Sequence, residues 1–360
     1  METNSTLLKI TARLVLATLI IIVLVVGESF LVPLTWSLLI ALASVKFIEL
    51  AEEKTFMSKG LVIFLFLLFI MLFIFLIGYF FYVELSLIFN DLPTISQKIS
   101  ARLHDLSFML KDTGIHIPEH IDKSFISDWV HNHNNLIMGF ISEIGMDIWS
   151  IILIMFYLFF LLYYKDLVPQ FFTRKIKDQA ELDSMKKRFQ KSMALIRSYI
   201  YGLLLLTLVS AVMNYVVFLI FGLQFAIFFA IFLAILNLIP FVGNPIGLAV
   251  IILFAIITKD NMLTPVLIFV SLFVMNFLQD NVIRPLLIGD KMKINAFTVF
   301  IAIIIGGMIW GVSGMILFIP IAGIIKILLE GHKVHEPYAI FFSEPHKKTK
   351  SPKVPVTKEK

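Results

Sequence analysis

The chain has 360 residues, of which 59% are hydrophobic and 15% charged, with a mean hydropathy of +0.94. A soluble chain of this length is about a quarter charged, so the composition excludes an ordinary water-soluble enzyme and points to burial in lipid. The lack of cysteine excludes disulfides, thiolate metal sites and cysteine nucleophiles, and the net charge of +5 sits in short basic runs beside apolar spans, as in membrane proteins rather than nucleic-acid binders.

In chain order, residues 10–26 resemble a secretory signal in that Lys9 and Arg13 precede an apolar run. It has no small-residue cleavage site and continues through Glu28 into a second apolar segment, 30–45, so it reads as a retained anchor followed by a short helix with Pro33 at its start. Residues 61–83 and 148–164 are uncharged and long enough, or nearly so, to cross about 30 Å of hydrocarbon. Between them, Leu92, Ile95, Ile99, Leu103, Leu106 and Leu110 recur at helical spacing and predict an amphipathic helix outside the bilayer. His116, His120, His131 and His133 follow it, but Pro118 interrupts the first pair and no carboxylate cluster joins them, so they read as solvated surface and no metal site is expected. Leu182, Met185, Phe189, Met193 and Ile196 form one face of a further amphipathic helix whose other face is Lys186, Lys187 and Arg188, a juxtamembrane helix suited to anionic lipid or, alternatively, to a regulatory partner.

Basic residues set the orientation. Segment 165–197 holds nine against four acids and segment 84–146 holds four against eight, which places the first inside and the second outside. Lys46, Lys54 and Lys59, then Arg284, Lys291 and Lys293, and the seven lysines from Lys333 to Lys360 also belong inside. Both termini are therefore expected in the cytoplasm. The chain divides into N-terminal membrane segments (1–83), an external helical segment (84–146), a span (147–164), a cytoplasmic basic segment (165–197), a membrane core (198–330) and a basic tail (331–360), an all-α polytopic protein of about eight membrane segments.

Within the core the apolar runs become short and broken. NLIPFVGNPIG, residues 237–247, sets Pro240, Gly243, Pro245 and Gly247 between apolar runs that are each too short to span comfortably. GGMIWGVSG, residues 306–314, sets Gly306, Gly307, Gly311 and Gly314 in a second interruption, followed by Pro320. Both predict re-entrant hairpins of half-helices. Irregular backbone survives at membrane depth only when buried in protein or lining a polar cavity, so such breaks mark a pathway. Each hairpin follows a full span, 199–220 and 263–284, and crossing parity makes the two units an inverted repeat with binding where they meet. The alternative is two kinked packing helices with small residues at their contacts. On the first reading, 240–245 and 306–314 are non-helical and face one another or a shared cavity.

Polar residues follow the same geography. Asn237, Asn244, Asn276, Gln279, Asp280 and Asn281 lie on or beside these elements, and Asp280 is the only acid between Asn261 and Gly289. Arg284 follows it by four residues, so the two share a helix face. Either the pair locks the inner end of the span, or Asp280 loads a proton or sodium ion and Arg284 responds. Asn214 and Gln224 read as interhelical hydrogen-bond partners.

NLIPFVGNPIG and QDNVIRPLLIGDKMKINAFTVFIAIIIGGMIWGVSGMILFIPIAGIIKILL, in that order, resemble the autoinducer-2 exporter (AI-2E), or PerM permease, family. The resemblance implies a bacterial inner-membrane transporter, homo-oligomeric and pentameric, whose relatives are assigned autoinducer-2 export or sodium(lithium)/proton exchange. It carries over to Pro240, Gly243, Pro245, Gly247, Asp280, Asn281, Arg284, Pro285, Gly289, Gly306, Gly307, Gly311, Gly314 and Pro320. Phe241 and Asn244 stand where relatives often have tyrosine and proline.

Three functions follow. The first is secondary export of a small polar solute held between the hairpin tips by exposed backbone groups and by Asn237, Asn244, Gln279 and Asn281. The second is cation/proton exchange at Asp280. The third is a non-transporting membrane scaffold. Catalysis is not expected, because no histidine lies in an apolar span and Ser210, Ser271 and Ser313 show no base partner. No Walker sequence is present, and neither a cofactor nor nucleic acid is implied.

Overall fold

A computed structural model of the chain describes residues 2–91, 94–95, 97–99, 101, 148–239, 241–288, 294–330 and 341–343. Most of the expected external helix, its histidines His116, His120, His131 and His133, and Pro240, Gly289, Lys291 and Lys293 lie outside the described residues.

The described residues are all-helical apart from turns and one isolated bridge, Ile294 with Ser343. Among the described residues, six helices are long and apolar enough to cross a membrane. α1 (Glu2–Val26) and α2 (Glu28–Lys54) meet at Gly27. Pro33 is therefore the sixth residue of α2 and not part of its first turn, where the sequence placed it. Its ring removes the donor that would bond to Ser29, and the Ser37 hydroxyl bonds to the Pro33 and Ile154 carbonyls, tying the bend to the neighbouring α4 (Ile148–Tyr163). Small buried residues of α2, namely Ser37, Ala41 and Ser44, let α4 approach closely. Beside them runs α3 (Lys59–Asn90), and Ile48, Ile63, Leu158 and Leu162 form the core of this three-helix unit. At one end Lys165 pairs with Glu49 at 3.0 Å and Lys59 with Asp166 at 3.1 Å.

A short helix, α5 (Leu167–Lys175), leads to α6 (Gln179–Ile220), 42 residues capped by Asp178, whose carboxylate accepts from the Ala180 amide at 2.9 Å. At 1.5 Å per residue α6 is about 63 Å long, so the basic segment and the following span are one rod and the 197/198 boundary falls inside it. Around it pack α7 (Ala226–Leu236), α8 (Gly243–Thr258), α9 (Leu263–Leu278), a π-helical turn (Gln279–Ile283), α10 (Arg284–Ile288) and α11 (Ala296–Leu329). Phe218, Phe229, Leu233, Ile251, Ile268 and Leu272 form the densest part of the core.

Both interruptions are hairpins. α7 turns into α8 through 237–242, and the open end of this pair is closed by Lys259, whose ammonium donates to the Gly222 carbonyl. α11 is helical on both sides of Trp310 and Gly311, and Gly311 has φ 53° and ψ −139°. In a straight helix Gly306 and Gly314 would stand about 12 Å apart. Here their backbones touch, and a Cβ on either would overlap the other's carbonyl. Gly323, in the returning arm, lies against Leu195 and against Ile294 at the start of the outgoing one, so both ends of α11 reach the same side. Asn295 caps the first arm by accepting from the Thr298 amide at 2.7 Å and donates to the carbonyls of Phe341 and Ser343.

The breaks are narrower than the sequence suggested. Gly243, Asn244 and Pro245 form the first turn of α8, where proline costs nothing because those amides have no intrahelical partner. Within 306–314 only Trp310 and Gly311 leave helical geometry.

Large apolar side chains face outward, among them Phe69, Phe73 and Phe75 of α3, and the best apolar window of α1 has no residue buried in the chain. Such a surface is stable only against lipid or another apolar partner.

Replacing Gly306 or Gly314 with alanine is expected to cost about 1–3 kcal/mol or more by overpacking. Thermal unfolding in detergent checks this. Gly78→Ala, inside a helix where a Cβ meets nothing within 4 Å, should not lower the midpoint and should raise it slightly.

Candidate functional site

The first break lies among residues from three other elements. Part of its backbone is already paired: Leu238 and Ile239 donate to Ile235 and Leu236, and the Gly243 amide donates to Ile239, all at 3.0 Å. Exposed peptide groups, which the sequence suggested as cargo contacts, are therefore not what this break offers at those positions. Gly243 allows the tight return, since a Cβ there would overlap the Leu236 carbonyl, and Gly247 leaves room for Leu233. Phe241 at the tip takes the left-handed φ of 65°, costly for a bulky residue.

Asn237, 5% exposed, donates from Nδ2 to Oε1 of the fully buried Gln279 at 2.9 Å. This bond joins the first break to the π-turn. The turn has a local cause: Pro285 lacks the amide that would bond to Asn281, and its ring crowds that carbonyl. The helix widens, so the Arg284 amide reaches back five residues to the Gln279 carbonyl. Arg284 donates through Nε and Nη2 to a single oxygen of Asp280, Oδ1, at 3.2 and 3.1 Å. The Asp280 side chain is 51% exposed, so the pair contributes little to stability.

Two buried polar atoms here have no partner among the described residues: Gln279 Nε2, a donor, and Asn244 Oδ1, an acceptor. Each such group costs about 1–3 kcal/mol when left unmade. Asn276 is half-buried on α9, and Asn281 is exposed and bonds back to the Phe277 carbonyl at 2.9 Å. Pro245 is exposed, while Gly307 packs on Met315 and Gly311 supplies the hairpin turn.

The two tips do not face one another. Phe241 stacks edge-on against Phe300 at 6.4 Å, and Leu238 and Ile239 pack on Ile303, Ile316, Ile319 and Tyr199. Phe300 is ten residues from Trp310, about 15 Å along a helix, so the first tip rests on the flank of the second hairpin. The second tip is held elsewhere: Trp310 Nε1 donates to the Leu24 carbonyl at 2.9 Å and Trp36 Nε1 to Ser313 Oγ at 3.4 Å. These tryptophan anchors were not identified from the sequence. The π-turn could have been found there, from Pro285 placed four residues after Asn281.

Of the lone amides, Asn214 bonds to Ser210 of its own helix at 3.3 Å, and Gln224 donates to Asp91 at 3.2 Å.

The model of the AI-2E family transporter matches residues 14–332. Three curated relatives carry the name "Putative transport protein". YueF of Bacillus subtilis is 25% identical over 294 residues, 78% of each chain. YhhT of Escherichia coli is 22% identical over 265 residues, 72% of this chain and 73% of the relative. YrrI of Bacillus subtilis is 28% identical over 131 residues, and the match spans 36% of each chain.

Asn237→Ala and Gln279→Ala should each destabilise by about 1–3 kcal/mol, and the double variant by less than their sum. A double-mutant cycle of thermal unfolding in detergent measures this coupling, and strict additivity would remove the Asn237–Gln279 bond as the link between the two elements.

Proposed function

The chain belongs to the AI-2E family of transporters, and from that premise we propose that it moves a small polar solute of the autoinducer-2 type across the bacterial inner membrane by secondary transport. The observation that carries this is the unpartnered pair at the first break, Gln279 Nε2 and Asn244 Oδ1. A neutral solute bearing hydroxyl and carbonyl groups would satisfy one donor and one acceptor that the fold leaves open. Asn237 orients Gln279, and the π-turn presents it.

Movement would use the two hairpins. The first opens beside Gly222, at the end of α6, and the second beside Leu195, 25 residues earlier, about 38 Å away along the helix. Entry from opposite ends of one rod supports the inverted-repeat reading and an alternating movement of one hairpin past the other. Both termini would be cytoplasmic, as the basic counts require, and the protein would work as a homo-oligomer, a pentamer by family resemblance.

A second reading is exchange of sodium or lithium for protons. It is favoured by one detail: both Arg284 bonds go to Asp280 Oδ1, which leaves Oδ2 of a half-exposed carboxylate without a hydrogen bond among the described residues and open to an ion. A scaffold role without transport remains the third.

Proteoliposome flux under imposed gradients tests these. Asn244→Leu should lower solute flux roughly tenfold, in line with about 1–2 kcal/mol for one lost hydrogen bond. Asp280→Asn should leave solute flux largely intact, whereas on the second reading it abolishes cation exchange. No flux of solute, sodium or protons in the unaltered protein would leave only the scaffold.

A further inference from the structure

At the charged end of α6, Ser184, Lys187, Arg188 and Lys191 line a cavity of about 200 Å³, with Ile327 and Glu330 of the α11 end as its other wall. The α6 residues are spaced three, four and seven apart, so they share one helical face. The hairpin form of α11 supplies the opposite wall, because its returning arm comes back to this end of α6 at Gly323 and Leu195.

Three features describe the occupant. The lining carries three cations against one acid, Glu330, which is engaged by the buried Lys326 at 3.7 Å. Lys187 and Lys191 are like charges four residues apart on one helix face, and an anion bound between them would relieve their repulsion. Ile327 belongs to the apolar core with Leu39, Leu195 and Leu317, so the cavity sits where the apolar body ends, and Ile325 and Leu328 beside it are exposed. A free inorganic anion has no use for that apolar margin; a lipid has. α5 has the same character, with Leu167 and Phe171 beside Arg174 and Lys175, and Lys175 lies 5.4 Å from the centre of the Phe171 ring.

We infer that this cavity binds the headgroup phosphate of an anionic phospholipid, with the α6 cations and the Ser184 hydroxyl on the phosphate oxygens and the acyl chains along Ile325 and Leu328. The site would fasten the α6 rod and the returning arm of the second hairpin to one lipid. It stands independently of the solute.

Lipid retention by the full-length protein, purified in neutral detergent and measured by native mass spectrometry, tests it with phosphatidylglycerol, phosphatidylcholine and inorganic phosphate as probes. Phosphatidylglycerol should be retained over phosphatidylcholine. Lys187→Gln with Lys191→Gln should lower its affinity about fivefold for each charge removed. Lys187→Arg with Lys191→Arg should restore it, and Lys46→Gln with Lys54→Gln, which removes equal charge from α2, should not change it. Equal retention of the two lipids, or of phosphatidylglycerol by the glutamine variant, overturns the site. Displacement of the lipid by equimolar phosphate overturns the lipid as its occupant.

Discussion

A peptide group without a hydrogen-bond partner costs several kcal/mol in hydrocarbon, so a chain can reverse inside an apolar body only where the reversal satisfies its own backbone. Both hairpins turn with the help of small residues. At the first, three and four residue bonds carry the chain from α7 to α8 while Gly243 lets it pass the Leu236 carbonyl. At the second, Gly311 takes a backbone conformation that side chains resist, and Gly306 and Gly314 let the two arms close on each other.

The buried side-chain atoms left open beside the first break are amide groups, those of Gln279 and Asn244. That changes the character of the site. Peptide dipoles held in a turn form a fixed array, whereas a side-chain amide has rotamers of its own. Asn237 limits that freedom at Gln279 by holding its oxygen. The π-turn makes this possible, since widening the helix at Pro285 seats Gln279 in the interior while Asp280 and Arg284 remain at its edge.

α6 is the frame. Its length places the open ends of the hairpins far apart, and it packs on the first break through Tyr199 and Leu203. The second tip is fastened to the N-terminal helices by two indole donors, so a shift of α1 or α2 would reach the hairpin through Trp310 and Trp36. The first tip rests on Phe300 of the second hairpin, and the second tip on the carbonyl of Leu24. Sequence spacing gives the length of each arm but no relative depth.

Composition and periodicity by themselves determined the all-helical membrane class, the positions of both interruptions and the shared face of Asp280 and Arg284. These are local consequences of hydropathy, of glycine and proline geometry and of the helical repeat, and each can be read within a few neighbouring residues. The pairing of Asn237 with Gln279, 42 residues away, was decided only by tertiary structure. So were the anchoring of Trp310 on Leu24, 286 residues earlier, and the seating of the first tip on Phe300. Contacts of that range depend on how deep each helix sits and how it is rotated, and packing against every neighbour at once sets both.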